Sequence, residues 1–189
     1  MLTLWTNRSA WDWCFLLGFA CGLSGCSVAP IGEFSGQWER LKIEGTSASV
    51  EMPGKAEKVD HSPKGYHEYV LGRMGEIYAV YAISNVDLKG DSKGVAKETL
   101  KFLEEFEGAL SDWRKKTYQG KPCFDFAFQI LRTYPSAELG RAVDLGNRRM
   151  IVIVAYGDGD FAADPKAIRF VNSLLLQGET QSHRKDRRE

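Results

Sequence analysis

Two apolar runs constrain this chain more than anything else in it. Ile77-Tyr78-Ala79-Val80-Tyr81-Ala82-Ile83 and Met150-Ile151-Val152-Ile153-Val154-Ala155 are apolar in both phases of a two-residue repeat. A strand sends alternate side chains to opposite faces, so a run that is apolar in both phases must be covered on both sides. Each run therefore reads as a central strand, and the chain must supply layers to cover a sheet above and below.

The remaining elements are read around these two. Residues 66–73 and 76–85 bracket Met74-Gly75 and form a hairpin with the first run as its second arm. Residues 38–43 alternate, turn at Glu44-Gly45-Thr46, and lead to a strand over 47–52 that Pro53-Gly54 stops. Three more strands are expected at 123–131, 137–145 and 149–156, with Gly146-Asn147 turning between the last two. Ala96, Leu100, Leu103, Phe106, Leu110 and Trp113 recur at intervals of three and four, which predicts one amphipathic helix over 96–113. A last helix starts at Asp164-Pro165, Asp as its cap and Pro at its first position, with Ile168, Val171 and Leu175 beside Phe170 and Leu174 as its buried stripe. The expected class is α+β: an antiparallel sheet of about six or seven strands flanked by helices.

The 189 residues suit one domain, here 38–176, preceded by a leader. Residues 13–23 are apolar but fall short of the about 20 that a membrane span needs, and fit a signal-peptide core. They run into Leu23-Ser24-Gly25-Cys26, which resembles the bacterial lipobox, where the Cys sulfur takes a diacylglycerol and becomes the mature N-terminus. A plain signal peptide with a chance Cys is the competing reading. The lipobox is preferred because tetrapeptide and apolar core agree on position, although Arg8 alone, offset by Asp12, gives the leader little positive charge. The expectation is a signal peptide over 1–25, a tether over 26–37 from a lipidated Cys26, and a disordered polar tail over 177–189. Acyl chains on Cys26 would hold the domain on the outer face of a cell membrane or at an outer membrane, since each buried methylene contributes about 0.8 kcal/mol.

Charge and motifs exclude more than they assign. Twenty-five Lys and Arg balance twenty-five Asp and Glu, and no basic face stands out, so nucleic acid is not an expected partner. Arg148, Arg149 and the tail's Arg184, Lys185, Arg187 and Arg188 suit anionic headgroups, but Asp186 and Glu189 dilute the tail and a solvated tail is the default. Of four Cys, Cys14 and Cys21 lie in the leader and Cys26 is the lipid site, leaving Cys123 without a disulfide partner. Lys121-Pro122-Cys123-Phe124 offers it no base, so it reads as a core or strand Cys and not a nucleophile. His61 and His67, near Asp60 and Glu68, lack the spacing of a zinc motif. Asp158-Gly159-Asp160 with Asp164 lacks the order of a calcium loop and reads as turn chemistry. Neither a phosphate-binding glycine loop nor a nucleophile elbow is present. No catalytic residues, metal or cofactor are expected. An envelope protein is the expected partner, with a small-ligand or divalent-metal module built on His61, His67 and Asp158 as the alternative.

A resemblance runs through the whole order of elements. Trp38 opens the domain, a strand ends in Met52-Pro53-Gly54, a helix follows a hairpin, Gly120-Lys121-Pro122 enters a strand, Arg141 precedes a turn, and Arg169-Phe170-Val171-Asn172-Ser173-Leu174 lies on the last helix. This pattern resembles the bacterial PsbP-like domains, frequent in lipoproteins and other exported proteins, whose fold is shared with the photosystem II protein PsbP and a Ran-binding nuclear import factor. Ala48, Ala56 and Cys123 stand where the family pattern more often has an aromatic, a Pro and a Gly. The resemblance implies an antiparallel sheet in an α/β/α sandwich and a binding or assembly role without catalytic residues.

Overall fold

The structure is a computed structural model and describes residues 31–59, 66–73, 75–104, 108–130 and 136–176. Its elements run β1 (Glu39–Lys42), β2 (Ala48–Met52), β3 (Glu57–Val59), β4 (Tyr66–Arg73), β5 (Glu76–Ser84), α1 (Ser92–Leu103), β6 (Gly108–Tyr118), β7 (Lys121–Ile130), β8 (Ser136–Gly146), β9 (Arg149–Asp158), a 3-10 turn (Phe161–Ala163), α2 (Pro165–Asn172) and β10 (Leu175–Leu176). Seven strands form one antiparallel sheet in the order β3-β4-β5-β9-β8-β7-β6, and β1-β2-β10 form a second, smaller one.

The two doubly apolar runs are β5 and β9, paired side by side near the middle of the large sheet from Glu76–Gly157 to Ser84–Arg149. One face carries Tyr78, Val80, Ile151, Ile153 and Ala155 into a core closed by α2, through Phe170 and Val171, and by β2, through Val50 and Met52. The other carries Phe124, Phe126, Ala142, Val152 and Val154 against Val95, Ala96, Phe102 and Leu103 of α1. Burying a side chain such as Phe170, which is fully enclosed, contributes about 1.5–3 kcal/mol, so covering both faces is what holds the layers together.

Both helices begin on an aspartate cap. The Asp91 carboxylate accepts from the Gly94 N–H at 2.6 Å, and Asp164 accepts from the Lys166 N–H at 2.7 Å with Pro165 just inside. The buried stripe of α2 is Ala167, Phe170 and Val171, continued by Leu174; Ile168 and Leu175, expected inside, are 42% and 44% exposed.

One expected element is two. The helix predicted over 96–113 ends at Leu103, and Leu110 and Trp113 lie on β6. The reason is a bulge: the register with β7 slips between Leu110 and Asp112, so Leu110 pairs with Phe128 and Trp113 with Phe126 on one face of the sheet. A three-residue interval thus joins same-face strand positions, which imitates a helical stripe. The last part of the expected tether is also engaged with the domain. Ile31 bridges to Gly72 and Glu33 to Lys55, and a Cβ on Gly54 would meet the Glu33 carbonyl at 2.1 Å, so a glycine is required where that segment passes Met52-Pro53-Gly54. The lipobox residues, His61, His183 and the polar tail lie outside the described residues, and among those described no helix is long and apolar enough to cross a membrane.

Candidate functional site

The most completely built polar constellation joins the middle of the sheet to the end of α2. Arg141 on β8 is directly opposite Asp125 on β7. Its guanidinium forks onto the carboxylate, Nε to Oδ1 at 2.7 Å and Nη2 to Oδ2 at 3.0 Å. The same side chain donates to the Val171 carbonyl at 2.9 Å and to Asn172 Oδ1 at 3.3 Å, placing a cation at the negative end of α2. Tyr118 lies under the guanidinium at 4.1 Å and donates its hydroxyl to the Leu174 carbonyl at 2.6 Å. Lys116 on β6 also contacts Asp125. Burial pushes the Asp125 carboxyl up, but its bonds to Arg141 and Lys116 outweigh this and hold it below the ordinary carboxylate range.

Cys123 lies beside this pair, fully buried on β7, with its thiol donating to Asp125 Oδ1 at 3.4 Å. Burial first, and then the neighbouring Asp125 charge, push the thiol up to about 12. It is a neutral thiol at physiological pH, facing a carboxylate already occupied by two cations.

Two further clusters tie elements together. Glu51 on β2 receives Arg40 of β1 at 2.8 Å and Arg169 of α2 at 3.1 Å, while Arg169 also covers the Trp38 ring at 4.3 Å. Glu76 at the start of β5 takes the Tyr78 hydroxyl, Arg73 at 2.7 Å and Lys166 of α2 at 3.5 Å. Arg141, Glu51 and Glu76 thus fasten α2 to both sheets from three sides. On the opposite face, Glu138 is 3% exposed, registered between Phe128 and Tyr156, and burial pushes its carboxyl up to about 8. Glu68 on β4 is likewise pushed up to about 7 by burial.

The sequence-based candidates separate in space. Asp158 lies beside the β4–β5 turn, where its N–H reaches the Gly75 carbonyl, whereas His67 pairs with Ala82 toward the other end of that hairpin. Among the described residues no three His, Cys, Asp or Glu side chains converge on a point that would hold a metal ion. Asp160 and Asp164 flank the 3-10 turn, Asp164 as the cap of α2.

Among the described residues no strand pairs with the outer side of β6, the last strand of the large sheet. Residues 111–117 are all exposed, Trp113 at 52% and the Arg114 side chain at 78%. Lys115 Nζ sits 5.3 Å from the Trp113 ring centre. The Trp113 N–H is accepted by its own neighbour, the Asp112 carboxylate, at 2.8 Å. Neither the Arg141–Asp125 pair nor this edge was singled out as a site from the sequence. A charged residue at an inward strand phase was the available signal for the first, and the cluster Trp113-Arg114-Lys115-Lys116 for the second.

No family model and no curated protein matches the chain. Solved structures do. The cyanobacterial PsbP protein CyanoP of Synechocystis superposes with a TM-score of 0.56 at 12% identity, over 82% of this chain and 99% of that one. The Ran-binding protein Mog1p of Saccharomyces cerevisiae superposes with a TM-score of 0.50 at 13% identity, over 74% of this chain and 95% of that one. The fold expected from the sequence is therefore the one present: an α+β, PsbP- and Mog1-like arrangement of antiparallel sheets and helices.

Proposed function

We propose that this chain is an exported lipoprotein, acylated on Cys26, whose PsbP- and Mog1-like domain is a non-catalytic binding or assembly module at the cell envelope. The anchoring half rests on Leu23-Ser24-Gly25-Cys26 at the end of an apolar run too short to span a bilayer. The module half rests on one observation above the others. Arg141, Asp125, Glu51 and Glu76 are engaged with one another's elements and hold α2 in place, and Cys123 is a buried, neutral thiol. These groups build a rigid body and present no activated nucleophile. A Ran-binding protein on the same fold supports a role in recognition.

The test is metabolic labelling of the tagged full chain with a palmitate analogue, followed by intact-mass analysis and membrane fractionation. Label and membrane recovery that vanish with Cys26→Ser support the reading. An unacylated chain that keeps Met1 and stays in the soluble fraction overturns it.

A further inference from the structure

We propose that the free edge of β6 takes up an extended acidic segment of a protein partner, which adds to the large sheet as an outer strand. This rests on reading the domain as a binding module, and it names the surface and the chemistry of what binds. An edge strand presents a row of unpaired peptide groups, and natural proteins usually shorten or cover such edges. Here β6 runs from Gly108 to Tyr118, with residues 111–117 exposed.

The direction of its peptide groups follows from the turn. Gln119 and Gly120, at φ 47 and 78, form the two-residue loop between β6 and β7, so Tyr118 and Lys121 close the hairpin as a hydrogen-bonded pair. Bonded and non-bonded pairs then alternate along the ladder, which turns the N–H and C=O groups of Thr117, Lys115 and Trp113 away from β7. Pro122 opposite Thr117 agrees with this alternation, because a non-bonded position needs no donor toward β6. The Trp113–Asp112 contact agrees as well: the outward N–H of Trp113 already holds a carboxylate oxygen at 2.8 Å, supplied by its own chain.

Charge selects the occupant. Along the exposed stretch Arg114, Lys115 and Lys116 alternate between the two faces of the sheet with Trp113 beside Lys115. Lys116 is paired with Asp125 and Arg114 lies 3.9 Å from Asp112, which leaves Lys115 and the largely exposed Arg114 as the positive groups that a partner meets. Two copies of this edge would bring like charges together, which disfavours self-pairing. An incoming strand with acidic residues opposite Arg114 and Lys115 and an apolar one opposite Trp113 meets complementary groups on both faces. The same basic cluster that repels a second copy thus favours an acidic partner.

The experiment measures amide exchange by NMR on the full chain in neutral detergent, with and without a short synthetic peptide repeating valine-glutamate-glutamate, which can set valine opposite Trp113 and glutamates opposite both Arg114 and Lys115. The expected result is added protection of the Trp113, Lys115 and Thr117 amides. Thr117→Pro, which removes an outward N–H and no inward one, and the pair Arg114→Glu with Lys115→Glu should each weaken peptide binding at least about tenfold while the unfolding midpoint is retained. Unchanged exchange at those amides with saturating peptide overturns the proposal, as does equal protection by the same peptide with lysine in place of glutamate. Protection by anionic phospholipid vesicles without protection by the peptide also overturns it, in favour of a membrane-facing edge. Lipid on Cys26 does not enter this readout, so anchoring and edge recognition stand or fall separately.

Discussion

Arg141 and Asp125, directly opposite each other on neighbouring strands, form a two-pronged ion pair at 2.7 and 3.0 Å whose arginine is 3% exposed. The pair does more than offset two charges. Through the Val171 carbonyl and Asn172 it joins the sheet to the end of α2, where the chain turns into β10. Arg141→Met should therefore cost about 3–5 kcal/mol in urea unfolding, because it leaves Asp125 partly buried with Lys116 alone and the Val171 carbonyl without its donor. Arg141→Lys should recover little of this, since an ammonium cannot fork. The double change Asp125→Leu with Arg141→Met should lie nearer the wild type than either single change, which a double-mutant cycle would read directly. Additive single costs would show that the two residues act independently.

Gly140 on β8 is paired with Phe126 of β7, and the ring lies across the glycine. A Cβ there would stand 2.2 Å from Cζ and 2.6 Å from Cε2. Phe126 is nearly fully buried and stacks on Phe124 at 6.0 Å, in the layer that receives Phe102 and Leu103 of α1. Gly140→Ala should force the ring outward and lower stability by about 1–3 kcal/mol. Thermal unfolding measures it, and an unchanged midpoint would mean that this layer has slack.

The parts of the fold legible from sequence were those whose burial is written locally. Both faces of β5 and β9 are covered, so their runs are apolar throughout; the Asp164 cap acts within a few residues, as does the β8–β9 turn, which falls one residue later than expected, at Asn147-Arg148. The edge β6 is harder to read. Its residues 111–117 are exposed, so that stretch carries no buried apolar phase, and its bulge sets Leu110 and Trp113 at a helical interval. β3 and β10, of three and two residues, are too short for any period to register. The Arg141–Asp125 pair depends on the register of two strands, which neither strand encodes alone.

Cys123 provides a test of the buried-thiol reading. Its sulfur is fully enclosed, shares Asp125 with two cations, and is pushed up to about 12. In native buffer near pH 8 a maleimide should leave Cys123 unmodified, as read by peptide mapping, and label it only once urea unfolds the domain. Labelling of the folded protein at the rate of a free thiol would make Cys123 a reactive group after all.

Glu138 makes stability depend on pH in an unusual direction. Burial raises its folded carboxyl from 4.5 to about 8, so between these values the folded chain keeps a proton that the unfolded chain has released. Its contribution is fully present below about 4.5 and is lost as pH rises through about 8, with a slope of up to ~1.4 kcal/mol per pH unit. Glu68, raised to about 7, acts with the same sign over a narrower window. Asp125 and Glu76 act oppositely: their folded carboxyls are lowered, so what they contribute is lost on acidification below the ordinary carboxylate range. Stability should therefore peak near pH 5 and decline toward pH 8. Glu138→Gln should flatten the alkaline decline and leave the acid limb unchanged, because glutamine fills the same space between Phe128 and Tyr156 without a charge to desolvate. Urea midpoints collected across pH 4 to 9 decide it: parallel curves for the two proteins would mean that Glu138 ionises at its ordinary value and that water reaches its carboxylate.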